Sequence, residues 1–223
     1  MKLLLIGCTG FIGKELIPLL IKEGHSLTVI SRQSKARLKA IGKNQSINLI
    51  QMNPAVAAAW NQEDIQNSLQ NCEGIINLAG EPIAEKRWTE DHCKEIANSR
   101  LETTKNLIEN LRNLKKPPKV LINASAIGFY GSHPQTEFTE ESIPGDDFLA
   151  NLCKRWETLA SNKPRATRLV VVRIGIVLAK DGGALGKMLP IFRAGLGGPI
   201  GDGKQWMSWI HRTDLCNLIN ESL

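Results

Sequence analysis

The chain has 223 residues, of which 42% are hydrophobic and 22% charged, enough for one well-buried domain or one domain with a small lobe. No apolar run approaches the roughly 20 residues that span a bilayer. Met1-Lys2 followed by four apolar residues is too short for an export signal, so a cytoplasmic location and no membrane partner are expected.

The net charge is +6, and its position is informative. Residues 1–44 carry Lys2, Lys14, Lys22, Arg32, Lys35, Arg37, Lys39 and Lys43 against Glu15 and Glu23, which accounts for the whole excess. No helix-turn-helix, RNP or zinc-knuckle pattern accompanies this basic segment. It points to a local anionic ligand rather than to nucleic acid. Cys8, Cys72, Cys93, Cys153 and Cys216 show no CxxC spacing and no clustering with histidine. An odd, scattered set suits reduced thiols in a cytoplasm better than a disulfide framework or a zinc site.

Short apolar runs alternate with helical segments, the pattern of βαβ units around a doubly wound parallel sheet in an α/β protein. The first strand is expected over residues 2–7, and Gly7-Cys8-Thr9-Gly10-Phe11-Ile12-Gly13 follows it directly. A helix is expected over 11–23, with apolar residues at Phe11, Ile12, Leu16, Leu19 and Leu20. A glycine run set between strand and helix is a dinucleotide-binding fingerprint. Gly7 serves the tight turn, Gly10 gives backbone access for a pyrophosphate, and Gly13 allows close helix–strand packing. The helix N-terminus adds partial positive charge to hold the phosphates.

The second strand, over 27–31, ends at Ser31-Arg32, 18 residues after Gly13. An acidic residue here would bind the ribose 2′-OH of NAD. Residues 31–43 instead carry five basic side chains and no acid, and a guanidinium grips a 2′-phosphate bidentately. The cofactor is therefore expected to be NADP rather than NAD. Arg32 is the primary contact and Lys35 a secondary one; the remaining basic residues to Lys43 read as a solvated helix face.

Further strands are expected over 47–52, 74–79, 119–124 and 168–174. Unbroken apolar runs such as 3–6, 120–122 and 169–172 suit strands covered on both faces. Asn77-Leu78-Ala79-Gly80 closes the fourth strand, either beside the nicotinamide ribose or as a turn. The longest helix, over 89–114, begins at Thr89-x-x-His92, half of a capping box, and stops at Pro117-Pro118. Another helix is expected over 146–161. His25 and His92 read as surface residues and His211 as an anchor for the segment 210–214. His133 is an alternative acid–base at the pocket mouth.

Beyond Ile174 the glycines Gly182, Gly183, Gly186, Gly195, Gly197, Gly198, Gly201 and Gly203 favour loops and close backbone approach over a regular layer. This sets the expected division into a dinucleotide-binding domain, 1–175, and the start of a glycine-rich substrate lobe, 176–223. Leu215, Leu218 and Ile219 continue a helical pattern to the final residues without a terminating glycine or proline, the pattern of a truncated lobe. Glu81, Arg87, Trp88, Arg100, Lys187, Arg193, Lys204, Trp206 and Trp209 either line a cleft for a flat, anionic small molecule, such as a nucleotide-linked one, or serve as packing.

Together, the glycine fingerprint, Asn77-Leu78-Ala79-Gly80, Ser125 near Phe129-Tyr130-Gly131, and Ile210-His211-x-x-Asp214 resemble the extended short-chain dehydrogenase/reductase superfamily. A narrower set includes Gly80-Glu81-Pro82-Ile83, Arg87-Trp88, Ser99-Arg100, Trp156-Glu157, and the blocks 182–190 and 197–203. It is similar to an NAD(P)-dependent epimerase family with human and bacterial members, the latter sometimes labelled cell-division inhibitors. The resemblance implies a Rossmann fold and cofactor contacts from Gly7 to Gly13, including Thr9, Phe11 and Ile12, and from Ser31, Arg32, Asn77 to Gly80, and Arg100. It further implies a serine that polarises substrate, a tyrosine that exchanges its proton, and a lysine that tunes the tyrosine and holds the ribose.

Ser125 fits the serine, with a strand-end cap as its plain alternative. Lys154 fits the lysine, or is a surface residue. Both would also touch the cofactor. The tyrosine four residues before Lys154 falls on Ala150, which has no proton to exchange. Tyr130 is the one remaining tyrosine and the substitute candidate, although the superfamily uses that Tyr-Gly pair as a turn. The implied activity is an NADP-dependent oxidoreductase or epimerase of altered chemistry; the alternative is a non-catalytic NADP-binding scaffold or redox sensor. Superfamily dimers pair the helices matching 89–114 and 146–161, so a homodimer is one expected assembly.

Overall fold

The structure, a computed structural model, describes residues 1–33, 47–133, 135–199 and 201–223. Six strands, β1 (Lys2–Ile6), β2 (Ser26–Ser31), β3 (Asn48–Gln51), β4 (Gly74–Asn77), β5 (Val120–Ala126) and β6 (Arg168–Ile174), form one sheet in the order β3-β2-β1-β4-β5-β6. Every pair in it is parallel, as the uninterrupted apolar runs imply. The order reverses between β1 and β4, the switch point where such sheets bind ligands beyond their carboxyl ends.

Strand geometry splits the apolar runs between two cores. Leu3 and Leu5 of β1 face one side, with α1 (Gly13–Lys22) and the final helix α6 (Arg212–Glu221); Leu4 and Ile6 face the other. That second side is covered by α2 (Glu63–Asn71) and α3 (Glu90–Arg112), with fully buried Trp60 donating its indole N–H to the Pro54 carbonyl at 2.9 Å. Helix α4 (Phe148–Ser161) packs beside α3 through Leu152, Trp156, Ile96 and Leu101. Both long helices begin on side-chain caps: Thr89 accepts from the His92 amide at 3.2 Å, and Asp147 from the Ala150 amide at 2.8 Å. Among the described residues no helix is long and apolar enough to cross a membrane.

A buried polar ladder runs through the centre. The Asn77 amide nitrogen donates to Asn123 Oδ1 at 2.8 Å and to Thr104 Oγ1 at 3.0 Å, while Thr104 Oγ1 also accepts from the Trp156 indole at 2.8 Å. Asn77 Oδ1 takes the Ala79 amide at 3.2 Å, which makes Asn77 the turn former at the end of β4.

Two expectations need correction, and one helix went unannounced. The glycine-rich stretch is not all loop: it holds α5 (Gly183–Arg193) and is flanked by a small parallel pair, β7 (Ile176–Ala179) with β8 (Trp209–His211). Gly186 and Pro190 lie within α5, but good helix formers such as Ala184, Leu185, Lys187, Met188 and Leu189 fill most of its interior. Helix α2 has only Ile65 and Leu69 as buried positions, too thin a pattern to announce itself. His92 is buried rather than on the surface, because the Thr89 cap sets a helical phase that turns it inward with Ile96 four residues on.

The lobe is clamped to α1. Arg212 Nε donates to Glu15 Oε2 at 2.6 Å, its terminal nitrogens reach Asp181 at 2.9 and 3.2 Å, and its guanidinium lies 4.7 Å over the Phe11 ring. Thr213 donates to the other Glu15 oxygen, and His211 caps α6 by accepting the Thr213 amide at 3.3 Å.

The fingerprint glycines separate into two kinds. A Cβ on Gly13 would lie 1.7 Å from the Cys8 carbonyl oxygen, and one on Gly7, whose φ is +73°, 2.4 Å from Ala79 Cα. A Cβ on Gly10 would meet nothing within 4 Å. Gly13→Ala is expected to destabilise by about 3 kcal/mol or more, as overpacking does, lowering Tm by roughly 6–12 °C. Gly10→Ala should melt within about 2 °C of the parent; thermal denaturation of the two variants checks this.

Candidate dinucleotide and substrate site

The carboxyl ends of β1, β2 and β4 build the cradle. Gly7, Thr9 and Gly10 form the turn into α1, and the open space around Gly10 faces solvent, as backbone approach by a pyrophosphate requires. Thr9 Oγ1 and Ser31 Oγ lie 3.1 Å apart and are both buried, tying the end of β2 to this turn. Ser31 Oγ also accepts the Gln33 amide at 3.0 Å. Arg32 is exposed and reaches across to Glu81, 3.2 Å away; Lys86 approaches the same carboxylate at 3.7 Å. Lys35 lies outside the described residues. Phe11 turns away from the cradle and packs against Gly182 and Gly183 of the lobe, while Ile12 faces inward.

Beyond the cradle lies a cavity of about 530 Å³, walled by Ile12, Leu78, Ala79, Gly80, Ser125, Leu149, Leu152, Cys153 and Trp156, with Ile174 to Ile176 at its far side. Arg100 is the charged side chain in this wall. It packs 5.5 Å from the Trp156 ring and donates to the carbonyls of Glu81 and Ile96 at 3.1 and 3.0 Å. Burial pulls its pKa below the ordinary arginine value. A Cβ on Gly80 would lie 2.8 Å from the guanidinium carbon, so Gly80 leaves room for Arg100 to lie flat.

Ser125 ends β5, 3% exposed, and donates to Glu157 Oε1 at 2.6 Å. Arg173, paired with Ser125 in the β5–β6 register, holds the same carboxylate through two contacts of 2.9 and 2.8 Å. The hydrogen bonds Arg173 donates to Glu157 raise its pKa. Tyr130 Oη accepts from Arg173 at 2.9 Å, and its ring stacks on Phe138 with centroids 5.0 Å apart. The phenol is thus built into the wall behind Ser125.

Helix α4 presents a different face from the one expected. Leu149 and Cys153 line the cavity, Ala150 is fully buried against the core, and Lys154 is exposed to solvent outside the cavity wall. The structure therefore brings Ser125 together with Leu149, Cys153 and Glu157, and does not bring Lys154 to it. Leu149 and Cys153 keep the four-residue spacing of the superfamily's tyrosine and lysine, one position earlier than Ala150 and Lys154. Burial raises the Cys153 thiol above its ordinary pKa, which makes it a poor nucleophile at neutral pH.

Glu157 and Arg173 carried no role in the sequence reading. Arg173 was visible as a charge inside the apolar run Leu169–Ile174 of a sheet strand, which demands a partner. Trp88 donates to the Ile83 carbonyl at 2.7 Å and meets Phe148 edge-on at 5.8 Å, while Trp206 and Trp209 are exposed. His133 is exposed, beside Phe138. Lys187 reaches from α5 to the Ala84 carbonyl at 3.2 Å.

Fold and site together define a Rossmann-type protein in which a glycine-turn cradle opens into a largely apolar cavity. A model of the NAD dependent epimerase/dehydratase family matches residues 3–221, and the chain belongs to that family. It is 39% identical over 219 residues to the chloroplastic Epimerase family protein SDR39U1 homolog of Arabidopsis thaliana, covering 97% of this chain and 60% of that one. It is 38% identical over 226 residues to the Epimerase family protein SDR39U1 of Homo sapiens, covering 100% of this chain and 70% of that one. The crystal structure of the human protein (isoform 2) with NADPH superposes with a TM-score of 0.84 at 38% identity, over 100% of this chain and 70% of that one. The Bordetella bronchiseptica enzyme WbmG in complex with NAD and UDP has a TM-score of 0.80 at 16% identity over 100% of this chain and 68% of that one, a likeness of fold.

The face of α4 is directly testable. Ala150→Tyr should destabilise by about 2–3 kcal/mol through overpacking, or roughly 4–12 °C in Tm. Leu149→Tyr, pointing into the cavity, should melt within about 3 °C of the parent. The reverse order in a thermal melt would show that α4 presents Ala150 to the cavity instead.

Proposed function

We propose that the chain binds NADP(H) and acts as an oxidoreductase or epimerase on a small molecule held in the cavity beside Ser125. The observation that carries this reading is the end of β2: Ser31 is tied to the glycine turn, and Arg32 stands exposed beside it with no acid of its own strand to contact a ribose hydroxyl. The residues present fit a dinucleotide. Gly7, Thr9 and Gly10 with the α1 N-terminus would hold the pyrophosphate, Arg32 the 2′-phosphate, and Leu78 to Gly80 the ribose on the way to the cavity. When bound, the nicotinamide ring supplies or accepts a hydride. The human relative solved with NADPH supports the same choice of cofactor.

The chain's own contribution is placement and exclusion of water. Ile12, Leu149, Leu152, Trp156 and Ile174 make the cavity largely apolar, and Ser125 and Arg100 supply polar fixing points. Arg100 favours a substrate with an anionic group. The buried thiols of Cys8, Cys153 and Cys216 suit a reducing, cytoplasmic compartment.

A second reading, a non-catalytic NADP-binding scaffold or redox sensor, draws on one observation: the cavity face of α4 carries Leu149 and Cys153, while Ala150 is buried and Lys154 stands outside the cavity wall. Incubating the protein and deuterated NADPH with a metabolite extract separates the readings, since deuterium transfer to any metabolite requires turnover.

Titration by calorimetry tests the cofactor. Arg32→Ala should weaken NADPH about 10–100-fold, the loss of a charge-assisted contact, and leave NADH within about threefold. Dissociation constants weaker than millimolar for both dinucleotides would overturn the proposal.

A further inference from the structure

The Ser125–Glu157–Arg173 cluster fixes the direction of a hydrogen bond, and with it the kind of group the cavity accepts. Arg173 is a charged residue on β6, 19% exposed, and it spends every terminal nitrogen on the wall behind Ser125. Nε and Nη2 hold the two Glu157 oxygens, while Nη1 donates to Tyr130 Oη and to the Glu140 carbonyl, both at 2.9 Å. Its Cζ lies 3.6 Å from the centroid of the Phe129 ring, which stacks the guanidinium in place. A guanidinium has donors and no acceptor, so the side chain it grips faces it as a carboxylate. A carboxylate only accepts.

The hydrogen in the 2.6 Å contact between Ser125 and Glu157 is therefore the serine's own. A serine hydroxyl has one hydrogen and two lone pairs. With the hydrogen committed to Glu157, Ser125 offers only lone pairs to the cavity. This is the reverse of the role the family resemblance gives the serine, that of donor to a substrate oxygen.

We propose that Glu157 is a positioning residue that holds Ser125 as a hydrogen-bond acceptor, and that the cavity selects an alcohol at that point over the corresponding ketone. The inference rests on reading this cavity as the reacting end of the dinucleotide site, although the polarity of Ser125 belongs to the chain alone. An alcohol places its hydrogen on the serine lone pair. A ketone places lone pair against lone pair and leaves two acceptors unsatisfied.

Glu157→Leu distinguishes this from a merely structural role. Ser125 shares Oε1 with Arg173 Nε while Nη2 holds Oε2, so a glutamine, with one acceptor, would not set the direction. Leucine accepts nothing, and the serine hydrogen is then released toward the cavity, where it can meet a ketone oxygen. The alcohol preference should be lost because the ketone binds more tightly, a gain that a merely structural role does not produce.

Cyclohexanol and cyclohexanone are a matched neutral pair small enough for the cavity. Each is titrated into the protein, with and without NADPH, and followed by the indole N–H resonance of Trp156, which lines the wall. The parent should bind the alcohol at least about tenfold more tightly, the scale of a hydrogen bond to a charge-supported group. Glu157→Leu should bind the ketone more tightly than the parent does and lose the preference, and Ser125→Ala should bind both equally. A parent that prefers the ketone or does not discriminate, no binding of either probe, or a preference that survives Ser125→Ala overturns the proposal. If Glu157→Leu fails to fold, Ser125→Ala decides alone, because it leaves the Glu157–Arg173 pair in place. Failure of NADPH to bind while the alcohol preference holds would count against the proposed function and not against this inference.

Discussion

Everything at the carboxyl edge of the sheet depends on one close approach, the passage of the backbone from β1 into α1. Gly13 lies against the Cys8 carbonyl and Gly7 against the backbone at Ala79, with no space for a Cβ at either place. This proximity aims the first turn of α1 at the open ground beside Gly10 and brings the end of β4 alongside. The cavity inherits two of its walls from the same contact, since Ile12 follows the turn and Leu78 to Gly80 oppose it. A fold that relaxed here would lose the phosphate cradle and the substrate wall together.

The same helix carries a second duty on its flank. Glu15 sits one turn into α1 and receives Arg212 and Thr213, while the Phe11 ring rests on Gly182 and Gly183 and under the Arg212 guanidinium. Burial works against the ionised form of Glu15, yet the hydrogen bonds from Thr213 and Arg212 bring its pKa below the ordinary value. The segment after β6 is thereby fastened to the element whose N-terminus opens on the glycine turn. Cradle and lobe share a single rigid support, and a displacement of α1 must move both.

The sheet was legible in the sequence because both-face burial writes itself as continuous apolar runs, and the glycine fingerprint because sterics leave few residues able to make that turn. The lobe was less so. Glycines dominate its composition, yet α5 forms through Gly183 and Gly186, since composition over a window hides the helix formers set among them. The face of α4 was obscured for a different reason. Ala150 and Lys154 lie four residues apart, and so do Leu149 and Cys153. A helix of 3.6 residues per turn turns about 100° between neighbours, so choosing the wrong pair exchanges core and solvent for cavity. Packing of Trp156 and Leu152 against α3 settles the rotation, and that information is tertiary. Glu157 and Arg173 meet only because β6 lies beside β5 and α4 lies over both, which spacing along the chain cannot express.

The ladder from Asn123 through Asn77 and Thr104 to the Trp156 indole has a consequence for how the chain avoids wrong folds. Hydrocarbon cores are tolerant: Leu, Ile and Val on β1, β4 and β5 would pack acceptably in several alignments. Asn77 and Asn123 are not tolerant, because they face each other in register and a slip by one residue would send each amide to the opposite face of the sheet. There it would meet hydrocarbon and lose its partners. The central strands thus carry an internal proofreading device, and the helices α3 and α4 are drawn into the same check through Thr104 and Trp156.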